Sequence, residues 1–89
     1  RVRRQFHFRG HVQGVGFRAT TRWIARGFAI GGYVRNLPGG QVEVVAEGEP
    51  EEIDRFLTEL LQEMGGHVRD WDQAEQVPAE PLLEFEIRY

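Results

Sequence analysis

From Val2 to Arg9, the apolar residues Val2, Phe6 and Phe8 fall on one side of a period-two pattern, and Arg3, Gln5, His7 and Arg9 fall on the other. This alternation predicts a strand with one buried face. A glycine-punctuated stretch, Gly10 to Gly16, breaks the pattern. Apolar or small residues then recur at Phe17, Thr20, Thr21, Ile24 and Phe28, a helical spacing that predicts a helix over about 17–25 with Gly27 near its end as a stop. Ile30 to Asn36 reads as a second strand. The turn residues Leu37, Pro38, Gly39 and Gly40 join it to a third, in which Val42, Val44 and Ala46 alternate with Glu43, Val45 and Glu47.

Pro50 suits the first turn of a second helix, where Glu51, Glu52 and Asp54 complement the helix dipole. Its apolar stripe runs through Ile53, Phe56, Leu57, Leu60, Leu61 and Met64, and Gly65 and Gly66 stop it. The segment from His67 to Val77 is extended but polar. It predicts an edge strand, with Val68 and Ala74 as core candidates and Trp71 facing the other way. After a loop bounded by Pro78 and Pro81, Leu83, Phe85, Ile87 and Tyr89 alternate in a last strand. The order is βαββαβ plus a further strand. Two helices with single apolar stripes must cover one face of a mostly antiparallel sheet, so the expected class is α+β, a two-layer ferredoxin-like sandwich. At 89 residues, one domain spanning 1–89 is expected.

Charge adds a second layer to this pattern. The net charge is −3, yet residues 1–42 contain no acid and hold eight of the eleven basic residues, all of them arginine. An anion would be drawn to surfaces built from that first half. The chain has no cysteine, which removes disulfides, thiolate nucleophiles and thiolate zinc sites from consideration. Its longest apolar run is far short of the ~20 residues that span a bilayer, so a soluble, cytoplasmic protein without a membrane partner is expected.

The segment Gly10-His11-Val12-Gln13-Gly14-Val15-Gly16-Phe17-Arg18 joins a strand to a helix start, where backbone N–H groups lack intrahelical acceptors and can converge on an anion. Gly14 and Gly16 allow the backbone to curl into a concave nest. Arg18 stands in the first turn, where a cation opposes the helix dipole by ~0.3–1 kcal/mol unless an anion lies between them. On spacing alone this is either an anion site or an ordinary turn with a solvated arginine. Gly14-x-Gly16-x-x-Ala19 also satisfies a dinucleotide fingerprint, but no acid precedes Glu43 to hold a ribose.

These residues resemble the acylphosphatase family, whose signatures are G-x-V-Q-G-V-x-F-R and G-x-V-x-N-x-x-x-G-x-V. The second reads here Gly32-Tyr33-Val34-Arg35-Asn36-Leu37-Pro38-Gly39-Gly40-Gln41-Val42. The likeness extends to Gly48-Glu49-Pro50-Glu51 and to Phe85-Glu86-Ile87-Arg88-Tyr89. Tyr33 stands where the family usually has tryptophan, and Gly39 replaces a common aspartate. The resemblance implies metal-independent hydrolysis of the carboxyl–phosphate anhydride of a small acyl phosphate, without a cofactor; a monomer is expected, though the sequence itself does not determine the oligomeric state. It implies that Arg18 and the amides of Gln13, Gly14, Val15, Gly16, Phe17 and Arg18 hold the phosphoryl group. Asn36 would orient the attacking water.

Other readings compete for parts of the chain. His7 and His11 are four apart, but on a strand and its following loop, which makes a structural or solvated role more natural than metal binding. Arg26-Gly27-Phe28-Ala29 with Ile30 and Tyr33 imitates the start of an RNA-recognition signature. It falls on the wrong strand for that module, so no nucleic-acid partner is expected.

Overall fold

The computed structural model describes every residue from Arg1 to Tyr89. Its elements are β1 (Val2–Gly10), α1 (Phe17–Ala25), β2 (Ile30–Asn36), β3 (Val42–Gly48), α2 (Pro50–Met64), a short 3₁₀ turn (Gly65–His67), β4 (Val68–Gln76) and β5 (Phe85–Arg88). The sheet runs β4-β1-β3-β2-β5, antiparallel except for the parallel β2–β5 pair. Both helices pack on one face, as their single apolar stripes require, and the result is the ferredoxin-like α+β sandwich.

The core lies between those layers. Phe6, Phe8, Val34, Val42, Val44 and Ala46 project from the sheet and meet Phe17 and Ile24 of α1 and Ile53, Phe56, Leu60 and Met64 of α2. Phe8 is the aromatic link between β1 and α1, its ring centroid 5.3 Å from that of Phe17.

The opposite face of the sheet is polar, yet its centre is closed to water. Glu43 and Glu47 retain only 3% and 1% of their surface exposed. Glu43 accepts hydrogen bonds from Gln5 at 2.7 Å and Arg35 at 2.7 Å and pairs with His7 at 3.0 Å. Glu47 accepts from Arg1, Arg3 and the Leu82 amide at 3.0, 2.7 and 3.2 Å. The register places Arg3 beside Glu47 and His7 beside Glu43, so cross-strand pairing builds both clusters directly.

Three sequence expectations change here. β4 carries a register shift between its pairings with Arg9 and Gly10, so Asp70 faces Arg9 while Val68 faces Gly10. One extra residue reverses the alternation. Val68 packs against the core, but Trp71, though 36% exposed, lies on that same side, opposite Phe8 with its ring 6.2 Å from those of Phe6 and Phe8. Ala74 instead pairs with Gln5 on the polar face and is exposed. The strand also begins after His67 and stops before Val77. At the end of the chain, only Phe85 and Ile87 join the core; Leu83 and Tyr89 flank the strand and are exposed.

The buried glutamates make a pH prediction. Burial alone would raise both carboxyls, but hydrogen bonds from His7, Arg35 and Gln5 hold Glu43 below the ordinary value of 4.5, and those from Arg3, the Leu82 amide and Arg1 do the same for Glu47. A depressed native pKa contributes stability above the unfolded pKa and loses it as pH falls through the native one. Glu47→Gln should therefore cost about 3 kcal/mol at neutral pH, the scale of a broken buried pair. Denaturant titrations from pH 7 down to about pH 2 should show the gap between Glu47→Gln and the parent closing; a gap constant with pH would refute this.

Candidate active site

The stretch between β1 and α1 is held at its two ends by apolar side chains and left open in the middle. Val12 and Phe17 are buried at 0% and 2% exposure, and Val15 packs against the same core. Gly14 and Gly16 between them are exposed, with φ of 78° and 79°. Those left-handed values suit glycine and let successive amides turn toward one point. A Cβ on either would meet nothing within 4 Å, so backbone conformation rather than crowding is what calls for glycine there.

Few of the amides of this bend are used internally. His11 N–H donates to the His67 carbonyl, and the next backbone amide to find an acceptor is Thr20, which donates to Gly16 O at 3.0 Å. The N–H groups of Val12 through Ala19 donate to no protein acceptor. The helix start also lacks a side-chain cap and any acid in its first turn. By contrast, α2 begins with Pro50, Glu51 and Glu52, the usual means of quieting a helix start.

Arg18 is in that first turn, half-buried and without a carboxylate partner; its guanidinium lies 5.0 Å from the Tyr89 ring centroid, a cation–π contact. Most other arginines of the chain are engaged with acids, as Arg9 is with Asp70 and Asp72. The Arg18 fork makes no hydrogen bond to a protein acceptor and no ion pair.

Asn36 closes β2. It shares parity with Val34, a core residue, and pairs with Val42, also a core residue, so it belongs to the helix-bearing face while Arg35 faces Glu43 on the other. Because α1 leads through a short turn into β2 and packs back on it, the start of the helix lies toward the end of the strand. Nine helical residues cover only ~13 Å, against ~23 Å for seven strand residues, which leaves the Gly14–Gly16 bend near Asn36. Gln13 ties the two together: its Nε2 donates to the carbonyls of Leu37 at 2.9 Å and Gln41 at 2.8 Å. Gln41 O also accepts from Leu37 N–H at 2.8 Å, which closes the hairpin.

The structure thus brings Gln13, Gly14, Val15, Gly16, Phe17, Arg18 and Asn36 to one end of the helix layer. It gives the Gln13 side chain a task that the sequence did not announce: it is committed to the hairpin, while its backbone N–H has no protein acceptor. The Tyr89 contact was also missed; no local pattern marks a C-terminal aromatic as a neighbour of residue 18. The groove of about 910 Å³ between α1 and α2 is lined by Ala19, Thr20, Trp23, Phe28, Glu59 and Glu63 among others, and by no residue of the bend or hairpin.

The competing readings find other places. His7 belongs to the Glu43 cluster, and the His11 ring lies 6.4 Å from that of His67. No group of three His, Cys, Asp or Glu side chains is arranged to hold a metal ion. Phe28 meets Phe56 edge-on in the helix layer, and Tyr33 is covered by Arg88 at 4.0 Å.

Comparison with known proteins bears on the chain as a whole. The acylphosphatase family profile matches residues 4–87. An acylphosphatase of Synechococcus sp. is 43% identical over 88 residues, covering 99% of this chain and 94% of its own. One from Lactobacillus gasseri is 39% identical over 82 residues, covering 90% of each. The crystal structure of acylphosphatase from Bacillus subtilis superposes with a TM-score of 0.88 at 28% identity and full coverage of both chains. No helix is long and apolar enough to cross a membrane. With fold, profile and full-length relatives in agreement, the chain belongs to the acylphosphatase family, hydrolases that split acyl phosphates into carboxylate and inorganic phosphate.

Proposed function

We propose that residues 1–89 form one catalytic unit in which the Gln13–Arg18 amides and the Arg18 guanidinium hold the phosphoryl group, while the Asn36 side chain orients water. The observation that carries this reading is the run of amides from Val12 to Ala19 without internal acceptors, opening a helix that has neither cap nor acid. Donors held in place before the substrate arrives need not reorganise as charge shifts onto the phosphoryl oxygens.

The reaction then needs little else. Water attacks phosphorus in line, the bond from phosphorus to the acyl oxygen breaks, and its electron pair leaves with the carboxylate. The conjugate acid of that leaving group has a pKa of ~4, so no general acid is required. The attacking water loses its proton to the phosphate product or to solvent. Arg18 and the amides supply the positive field that a metal supplies in other phosphoryl-transfer enzymes, so metal-independent turnover without a cofactor follows from the reading. The substrate is a small acyl phosphate. A cytoplasmic monomer with no nucleic-acid partner fits this chemistry, since nothing in the proposed site requires a second chain.

Four experiments test the assignments. Purified protein should hydrolyse benzoyl phosphate at full rate in EDTA, and Arg18→Gln should lose phosphate affinity and turnover together; a strict metal requirement would overturn the mechanism. In Asn36→Ala, kcat should fall by ~10² to 10³ while competitive inhibition by inorganic phosphate is kept; parallel loss of phosphate binding would remove Asn36 from its role. Gln13→Ala should cut the tether to the hairpin and lower kcat by about tenfold, as expected when a catalytic group loses its fixed geometry. An unchanged kcat would show that the bend holds its position without Gln13.

A further inference from the structure

Eight of the eleven arginines are ion-paired with a carboxylate, namely Arg1, Arg3, Arg4, Arg9, Arg35, Arg55, Arg69 and Arg88. The three that are not, Arg18, Arg22 and Arg26, follow one another at four-residue intervals along α1. That spacing puts them in a row on one side of the helix, and like charges so placed repel by ~0.2–0.5 kcal/mol per pair. The helix dipole eases this at Arg22 and Arg26 but works against Arg18.

Next to the row is a concavity of about 150 Å³ between α1 and β5, lined by Ala19, Arg22, Trp23, Arg26 and Ile87. No acid lines it. Glu86 of β5 has the opposite parity to Ile87 and is paired with Arg88 at 2.9 Å. The other flank of α1 differs in sign: the larger groove toward α2 shares Ala19, Trp23 and Arg26 but adds Glu59 and Glu63. An anionic chain leaving the bend is therefore favoured along the β5 flank and opposed along the α2 flank.

We propose that Arg22 and Arg26 form a second anion subsite, so that this enzyme selects acyl phosphates whose acyl group carries a further carboxylate or phosphate. The inference rests on the reading in which Arg18 holds the phosphoryl group. Arg22 is ~6 Å further along the axis at 1.5 Å per residue, within reach of a charge borne one ring or a short chain away. Both arginines are exposed and outside the core, so replacing them should leave the fold intact.

The test compares kcat/KM for 4-carboxybenzoyl phosphate and 4-(phosphonooxy)benzoyl phosphate with that for the neutral 4-carbamoylbenzoyl phosphate, each normalised to its uncatalysed hydrolysis. The parent protein should favour at least one charged substrate by about fivefold, the scale of one or two exposed ion pairs. The Arg22→Gln/Arg26→Gln double variant should abolish that preference while keeping kcat on the neutral substrate. Equal kcat/KM on all three substrates, or a preference that survives the double substitution, would overturn the proposal. Arg18→Gln separates the two layers: it should depress all three substrates alike, and undiminished turnover of the neutral one would sink the phosphoryl assignment whatever the selectivity ratio.

Discussion

Val12 and Phe17 anchor the two ends of a bend whose intervening N–H groups, through Gly14 and Gly16, donate to no protein acceptor. The rest of the candidate site depends on that arrangement. Burial of two apolar side chains fixes the bend without using its donors, and the left-handed glycines keep those donors available. Were acids placed in the first turn after the bend, as Glu51 and Glu52 are in α2, its positive end would already be compensated. Gln13 then joins the bend to the hairpin that carries Asn36, which couples two motifs separated by more than twenty residues.

The same economy governs charge. An acid-free first half and an acid-rich second half would suggest a protein with a strongly cationic surface, yet the topology interleaves the two. β1, with its arginines, lies between β3 and β4, which bring Glu43, Glu47, Asp70 and Asp72 alongside it. Pairing thus neutralises most of the cationic half and closes the centre of the polar face. What stays unpaired is the row on α1, and that row begins at the bend. Buried carboxylates held by several donors are expensive to disrupt, so this face also ties β1, β3 and the segment around Leu82 together.

Much of this was legible beforehand. The helices showed in their apolar spacing, in Pro50 and in the glycines that follow them, the hairpin in its turn residues, and the candidate site in glycines placed before a helix start. The face of β4 was not legible, because a single bulged residue reverses alternation without leaving a compositional mark, and so Trp71 and Ala74 exchanged sides. The last strand is shorter than its alternation suggested; Leu83 and Tyr89 continue the period but lie outside the strand and stay exposed. The burial of Glu43 and Glu47 left no mark in the alternation of β3, since it depends on side chains of β1 that only the register brings near. The Tyr89–Arg18 contact and the tether from Gln13 are both long-range and have no local signature.

The central claim, that the backbone of the bend is itself the phosphate-binding device, is tested most directly by titrating ¹⁵N-labelled protein with inorganic phosphate and following the amide resonances. The account predicts saturable downfield proton shifts concentrated at Gly14, Val15, Gly16, Phe17 and Arg18, with a single dissociation constant matching competitive inhibition. Shifts confined to arginine side chains or spread over the sheet, with the bend unmoved, would contradict it.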